Sequence, residues 1–223
     1  MKNYYEILKQ CPLFKNLTEK EINVILSNFV KSIKTYKKGA VIWHAGDKVS
    51  SIGIVLNGQV HIETQDYWGN RSIIAAIDRG EMFGEAFFFA KIPHIPVNII
   101  CTEDSEIMFF SLKISECQNS LNSMEYLKFI NNMVHTLAEK NIFLTSKIEH
   151  ITKRTTREKL LSFLSYQAAK HDSDIFDISF NRQELADFLS VDRSAMSSEL
   201  SKLKKSGVLD FYKNHFHLYN TKK

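Results

Sequence analysis

Along this chain of 223 residues the spacing of hydrophobic positions changes period twice. From residue 30 to 112 the apolar residues come in short runs, "AVIWHAG", "SIGIVLNGQVHIET", "RSIIAAIDRG" and "PVNIICTEDSEIMFFS", several of them bounded by glycines. Runs of that length, rich in β-branched and aromatic residues, predict strands. Asn57-Gly58 between two of them is a hairpin signal, and Trp68-Gly69-Asn70 marks another turn. Many short strands at this spacing predict a barrel or a jelly-roll-like β-roll. Ahead of them, residues 18–29 predict a helix. Thr18 and Glu21 fit a capping box, and Ile22, Ile25, Leu26 and Phe29 line one face.

After Ser123 the period becomes helical, and no proline or glycine occurs between Pro96 and Gly207. Leu127, Ile130, Val134, Leu137, Asn141, Leu144, Ile148 and Ile151 follow one another at alternating steps of three and four. That is a heptad seam. With Leu127 at position a, Asn141 also falls at a, where a lone Asn costs stability and fixes the register of a parallel two-stranded coil. The seam predicts a homodimer. The alternative is a single helix packed on the chain's own barrel.

The period shifts again near residue 154. Residues 156–170, 182–189 and 192–206 predict helices, Gly207 stops the last, and "GVLDFYKNHFHLYN" alternates as two short strands. Three helices and a small hairpin predict a winged helix-turn-helix. Leu185 and Leu189 form the apolar face of its first helix, Ala186 permits a close crossing, and Val191 sits in the turn. Met196, Leu200 and Leu203 anchor the second helix, with Asp192 as its N-cap. Arg193, Ser194, Ser197 and Ser198 then point outward. An arginine near such a helix start can fork onto a guanine edge in the major groove, and a serine can reach phosphate or base. Arg182, Lys202, Lys204 and Lys205 complete the expected DNA-binding set, the lysines serving the phosphate backbone.

Charge sharpens this picture. Residues 151–223 hold 13 Lys+Arg against 9 Asp+Glu, whereas residues 1–150 balance at 16 and 16. The whole excess of +4 therefore sits with the helix-turn-helix, which fits a double-stranded DNA partner. No apolar run approaches the ~18 residues of a membrane span, and no secretory h-region is visible, so a cytoplasmic location is expected. Cys11, Cys101 and Cys117 fit neither a metal knuckle nor a disulfide framework; packing or surface positions are expected, with a redox sensor as the alternative.

The order "YKKGAVIWHAGD", "IVLNGQVHI", "IDRGEMFGE", long helix, "RQELADFLSVDRSAMSSELSKLKKSGVL" resembles the Crp–Fnr family of bacterial transcription regulators, over residues 13 to 219 or so. Gly39, Gly46, Gly58, Gly80 and Gly84 fall where that family's β-roll turns fall. The resemblance implies an α+β fold: a β-roll sensor domain at 1–122, a dimerisation helix at 123–153 and a winged helix-turn-helix DNA-binding domain at 154–223. It also implies a near-palindromic DNA site and, for an activator, RNA polymerase as a partner. Arg193 matches the family's guanine-reading arginine, while Ser194 and Ser198 stand where the family often has Glu and a second Arg.

In cyclic-nucleotide-binding members of the family, a cassette runs from Phe-Gly-Glu to an Arg-Ser or Arg-Thr pair. Its Glu holds the ribose hydroxyl and its Arg neutralises the phosphate. This chain keeps Phe83-Gly84-Glu85 but has Ile95-Pro96 at the Arg-Ser position. Ile142 and Phe143 stand where the family places hydroxyl residues that contact the base. Both ends of the effector pocket are thus apolar, and a buried anion without a cation is costly. The expectation is an effector other than cyclic AMP, either a hydrophobic or a small neutral ligand. The alternative is a pocket filled by Phe87, Phe88 and Phe89, in a protein that binds DNA constitutively or architecturally. No cofactor is expected. The iron–sulfur type of the family needs an N-terminal cysteine cluster that is missing here, and haem would need His44, His61 or, best placed, His94. A cupin-like metalloenzyme lacks its HxH in the first barrel half, the one His-x-His being His215 and His217 in the expected wing.

Overall fold

The structure, a computed structural model, describes residues 4–111 and 123–219; Cys117 lies outside them. The chain divides into two compact units, residues 1–70 with 74–140 and residues 71–73 with 141–223.

The first unit opens with α1 (Tyr5–Gln10), a 3-10 turn at Pro12–Phe14 and α2 (Glu19–Phe29). The capping box forms as expected. Thr18 Oγ1 accepts from the Glu21 amide at 3.3 Å, and the Glu21 carboxylate accepts from the Thr18 amide. Next come β1 (Val30–Tyr36), β2 (Val41–Trp43), β3 (Ile52–Asn57), β4 (Val60–Gln65), β5 (Arg71–Ile77), β6 (Met82–Phe83), α3 (Glu85–Phe89), β7 (Asn98–Cys101) and β8 (Ser105–Phe110). They make two four-stranded sheets, β1-β8-β3-β6 and β2-β7-β4-β5.

That order corrects one sequence expectation. Asn57-Gly58 does not close a hairpin, because β3 and β4 belong to different sheets. Ile52 through Leu56 are all buried, so β3 lies inside its sheet between β8 and β6. The turn instead carries the chain across a corner. There the Gln59 carbonyl accepts from the Thr102 amide at 3.0 Å and the Ser105 hydroxyl at 3.3 Å, beside the equivalent crossing from β7 to β8. The turn at Trp68-Gly69-Asn70 does join sheet neighbours, β4 and β5. Asp66 Oδ1 holds it by accepting from the Trp68 and Asn70 amides, both at 2.9 Å.

The alternate residues Ile52, Ile54 and Leu56 of β3 pack, with Met82, Met108 and Phe110, against Leu8, Phe14, Ile22, Ile25 and Phe29 of the helical layer. Helix α4 (Ser123–Ile151) adds Phe129 and Met133 to this core. It is also held by polar ties: Lys128 pairs with Glu21 at 3.0 Å, and Asn132 Nδ2 donates to the Leu13 and Lys15 carbonyls at 3.0 and 2.7 Å.

The heptad positions of α4 behave differently. Leu127, Val134 and Ile148 are 59%, 59% and 58% exposed, Leu144 is 42% exposed, and Asn141 is exposed as well. Ile130 and Leu137 are half-buried against the core. Packing on the chain's own barrel thus uses a neighbouring face of the helix and leaves most of the seam open. No helix among the described residues is long and apolar enough to cross a membrane.

The second unit contains α5 (Thr156–His171), β9 (Ile175–Asp177), α6 (Arg182–Leu189), α7 (Arg193–Lys205), β10 (Leu209–Tyr212) and β11 (His215–Leu218). The wing has three strands, in the order β10-β11-β9, where the sequence predicted two. Its short third strand is fixed by a cross-strand match of Phe176 with Phe216, rings 6.2 Å apart. Phe163, Phe180 and Phe188 meet in the core of this unit, with Phe180 and Phe188 4.8 Å apart.

Candidate functional site

Helix α6 also starts at a capping box. Asn181 Oδ1 accepts from the Gln183 and Glu184 amides at 2.9 and 3.1 Å, and the Glu184 carboxylate accepts from the Asn181 amide at 2.7 Å. Leu185, Ala186, Phe188 and Leu189 are buried. Ser190 then takes a left-handed conformation (φ 53°), and the Val191 amide returns to the Ala186 carbonyl at 3.0 Å. This tight turn launches α7 with Asp192 as N-cap, accepting from the Ala195 amide at 2.8 Å. Met196, Leu200 and Leu203 are at most 1% exposed, so the opposite face of α7 is necessarily outward.

That face presents Arg193, Ser194, Ser198, Lys202 and Lys205 to solvent, with Ser197 half-buried. Not every residue expected at DNA is equally open. The Asp192 carboxylate is spent on the cap and also accepts from the Ser194 hydroxyl, which holds its pKa below the usual carboxylate range. Lys202 pairs with Glu199 at 3.2 Å, and Glu199 with Arg157 at 3.1 Å. Lys204 pairs with Asp210. Arg182 differs most from expectation. Its guanidinium lies 4.6 Å from the Phe211 ring centre and 5.1 Å from that of Phe216, half-buried, with Nη2 enclosed. It stacks under the wing as a cation on aromatic faces and is not among the outward donors.

The cassette is built on a glycine. Gly84 has φ 81° and immediately precedes α3. Helical spacing then puts Glu85, Phe88 and Phe89 on one face of α3. Phe88 and Phe89 are half-buried and pack on the first unit's core, which joins the helical layer to residues of β3, β6 and β8. Glu85 is 4% exposed. Its Oε1 pairs with Lys140 Nζ of α4 at 2.7 Å, and the same ammonium donates to the Met82 carbonyl. Glu85 Oε2 is buried with no hydrogen-bond partner among the described residues.

On its other side the cassette meets Trp43 of β2, a residue the sequence reading left out. A Cβ placed on Gly84 would lie 2.5 Å from the indole ring, and the indole sits 5.3 Å from the Phe83 ring and 6.0 Å from that of Phe109. Ile95 is 1% exposed, and its backbone ties the loop to residues 46 and 47: the Gly46 amide donates to its carbonyl at 2.8 Å, and its own amide donates to the Asp47 carbonyl at 3.0 Å. Pro96 is exposed and Phe87 half-buried. Ile142 is 63% exposed, and Phe143 rests 6.2 Å from Phe188. Of the histidines, His61 is buried, His44 is exposed, and His94 is exposed with Nδ1 donating to the Gly46 carbonyl at 2.6 Å. The described residues include no group of three or more His, Cys, Asp or Glu able to hold a metal ion. Cys11 and Cys101 are buried free thiols, the former pushed up to about 11 by burial.

The Trp43–Gly84 contact and the Glu85–Lys140 pair had weak sequence signals or none. A tryptophan beside a glycine loop and a lysine in a long helix are both commonplace, and only the fold brings each to the cassette.

Comparison with known proteins agrees with this division. Residues 33–114 match a cyclic nucleotide-binding domain, and residues 158–223 match a Crp-like helix-turn-helix domain. The chain is 22% identical over 209 residues to the cyclic AMP receptor protein of Thermus thermophilus, covering 91% of this chain and 89% of that protein. Among solved structures it is similar to the c-di-GMP responsive global regulator CLP of Xanthomonas campestris (TM-score 0.72, 17% identity, 92% of this chain and 100% of that one). It is also similar to CooA of Carboxydothermus hydrogenoformans (TM-score 0.70, 23% identity, 87% and 85%). The chain belongs to the Crp–Fnr family of transcription regulators, with a cyclic-nucleotide-binding-type domain followed by a Crp-like helix-turn-helix domain.

Proposed function

We propose that the protein is a homodimer that reads a near-palindromic double-stranded DNA site with α7, and that its cassette is not built for cyclic AMP or cyclic GMP. In this reading residues 1–122 form the sensor, 123–153 the dimerisation helix and 154–223 the DNA-binding domain. It acts in the cytoplasm by binding, without catalysis, and meets RNA polymerase where it activates.

The outward face of α7 carries the DNA reading. Arg193 is exposed at the start of a helix whose opposite face is fully buried, the geometry that lets an arginine fork onto a guanine in the major groove. Two such helices in a two-fold dimer set half-sites about one helical turn apart. Ser194 and Ser198 supply neither a cytosine acceptor nor a second forked donor, so the preferred sequence departs from the family's elsewhere in the half-site. Against the cyclic nucleotides stands Ile95. Its side chain is buried carbon where a phosphate would need a cation, and charge-assisted hydrogen bonds of that kind contribute about 1.5–3 kcal/mol each.

Selection on random duplexes with wild type and Arg193→Ala tests the first part. Wild type should enrich a palindrome that the variant recovers with relaxed preference at one guanine per half-site; identical enrichment refutes the assignment. Calorimetric titration with cyclic AMP and cyclic GMP tests the second, and a micromolar dissociation constant for either would sink it.

A further inference from the structure

The sequence leaves two options for the β-roll, an open pocket and a filled one. We propose that the cassette is closed by the chain's own residues: Lys140 supplies the donor that a ligand would bring to Glu85, Trp43 covers Gly84, and the protein binds DNA with no effector in the β-roll. This rests on the reading of the protein as a dimeric DNA binder.

Glu85 is enclosed, and a buried carboxylate is tolerable only with a counter-charge and hydrogen bonds. Here α4 provides both. Of the three N–H groups on Lys140 Nζ, one meets Glu85 Oε1 at 2.7 Å and another the Met82 carbonyl. The pair is neutral as a unit. An anionic ligand meets carbon at Ile95 and, at Lys140, an ammonium already paired with Glu85. A cationic ligand finds the carboxylate already matched.

Space points the same way. The Trp43 ring lies so near Gly84 that even a single Cβ there would be 2.5 Å from it, so no layer of ligand atoms fits between indole and cassette backbone. Glu85 Oε2 is left without a hydrogen-bond partner among the described residues, and a ligand would have to find it within this closed arrangement. Closure also bears on association. Lys140 immediately precedes Asn141 of the open seam, so the ion pair holds the very turn of α4 that faces a second copy.

The decisive comparison uses the full chain. Protein unfolded in guanidinium, dialysed free of small molecules and refolded should bind the selected duplex within twofold of natively purified protein. A tenfold loss, restored by the small-molecule extract of heat-denatured native protein, overturns the proposal. Natively purified Lys140→Met should lose at least fivefold in DNA affinity, the lower end of ordinary coupling between sites. Lys140→Arg and Lys128→Met, the latter breaking the other ion pair of the same helix, should each stay within twofold. Wild-type affinity in Lys140→Met, or an equal loss in Lys128→Met, also overturns it. If neither wild-type preparation enriches or binds any duplex, the DNA-binding reading fails instead.

Discussion

Helix α4 shows two faces made from similar residues and used in opposite ways. One buries Phe129 and Met133 in the core of the first unit and spends Asn132 and Lys140 on hydrogen bonds within the chain. The other leaves Leu127, Val134, Asn141 and Ile148 open. The same contrast separates Glu85, enclosed and paired, from Arg193, at a helix start with its side chain in solvent. The difference teaches that polarity alone does not mark a site for a partner. What marks it is whether the chain has already used the group. Changes on the open faces should therefore alter association and spare stability, whereas changes on the enclosed faces should lower stability and reach association only through the helix they support.

The largest effect is expected from the open seam. Val134 and Leu144 are better targets than Leu137, which is half-buried against the chain's own core. Val134→Asp with Leu144→Asp should sediment as a monomer at micromolar concentration. Its DNA affinity should fall by roughly 10²-fold or more, because two linked half-site readers gain about that much from being joined. Its unfolding midpoint in dilute protein should match that of wild type; a folded variant that still dimerises would break the comparison.

A smaller change belongs to the open face of α7. Arg193→Ala should cost about 1–3 kcal/mol per half-site in DNA binding, read by fluorescence anisotropy, with no shift in melting temperature. A melting shift would mean that Arg193 is part of the fold and not of a reading surface.

The smallest effect tests an enclosed group. His150 is 3% exposed at the end of α4, its Nδ1 2.8 Å from the Ser162 hydroxyl and its ring 5.4 Å from that of Tyr166. Burial is the main cause that holds its pKa below the ordinary value, with Lys153 adding to the shift and Glu149 opposing it. The folded state thus takes up the proton less readily than the unfolded state. Stability should be full above the ordinary histidine range, near pH 6.5, and decline as pH falls through and below it. Urea midpoints between pH 8 and 5.5 should show this slope in wild type and a shallower one in His150→Gln. Equal slopes would show that the histidine is not sensed as an enclosed group.

Local chemistry made much of the molecule legible in advance. The Thr18–Glu21 capping box, the Asp192 cap, the stop at Gly207 and the buried Met196–Leu200–Leu203 stripe all depend on residues within a few positions of each other. Helix geometry fixes what such neighbours can do, whatever lies around them. The heptad of α4 was readable for the same reason.

What the sequence determined by itself, then, is the run of short strands followed by a long helix and a helix-turn-helix, the Thr18 and Asp192 caps, the heptad stripe and the outward face of α7. The tertiary structure alone decided that Asn57-Gly58 crosses between sheets, that Arg182 stacks on Phe211 and Phe216, that Trp43 lies on Gly84, and that Glu85 meets a lysine 55 positions away. Each of these joins groups far apart in the chain, and no periodicity encodes such a meeting. It is settled by which buried charges and rings must share one interior, where an unpaired carboxylate is too costly to leave and a ring packs against whatever backbone lets it approach.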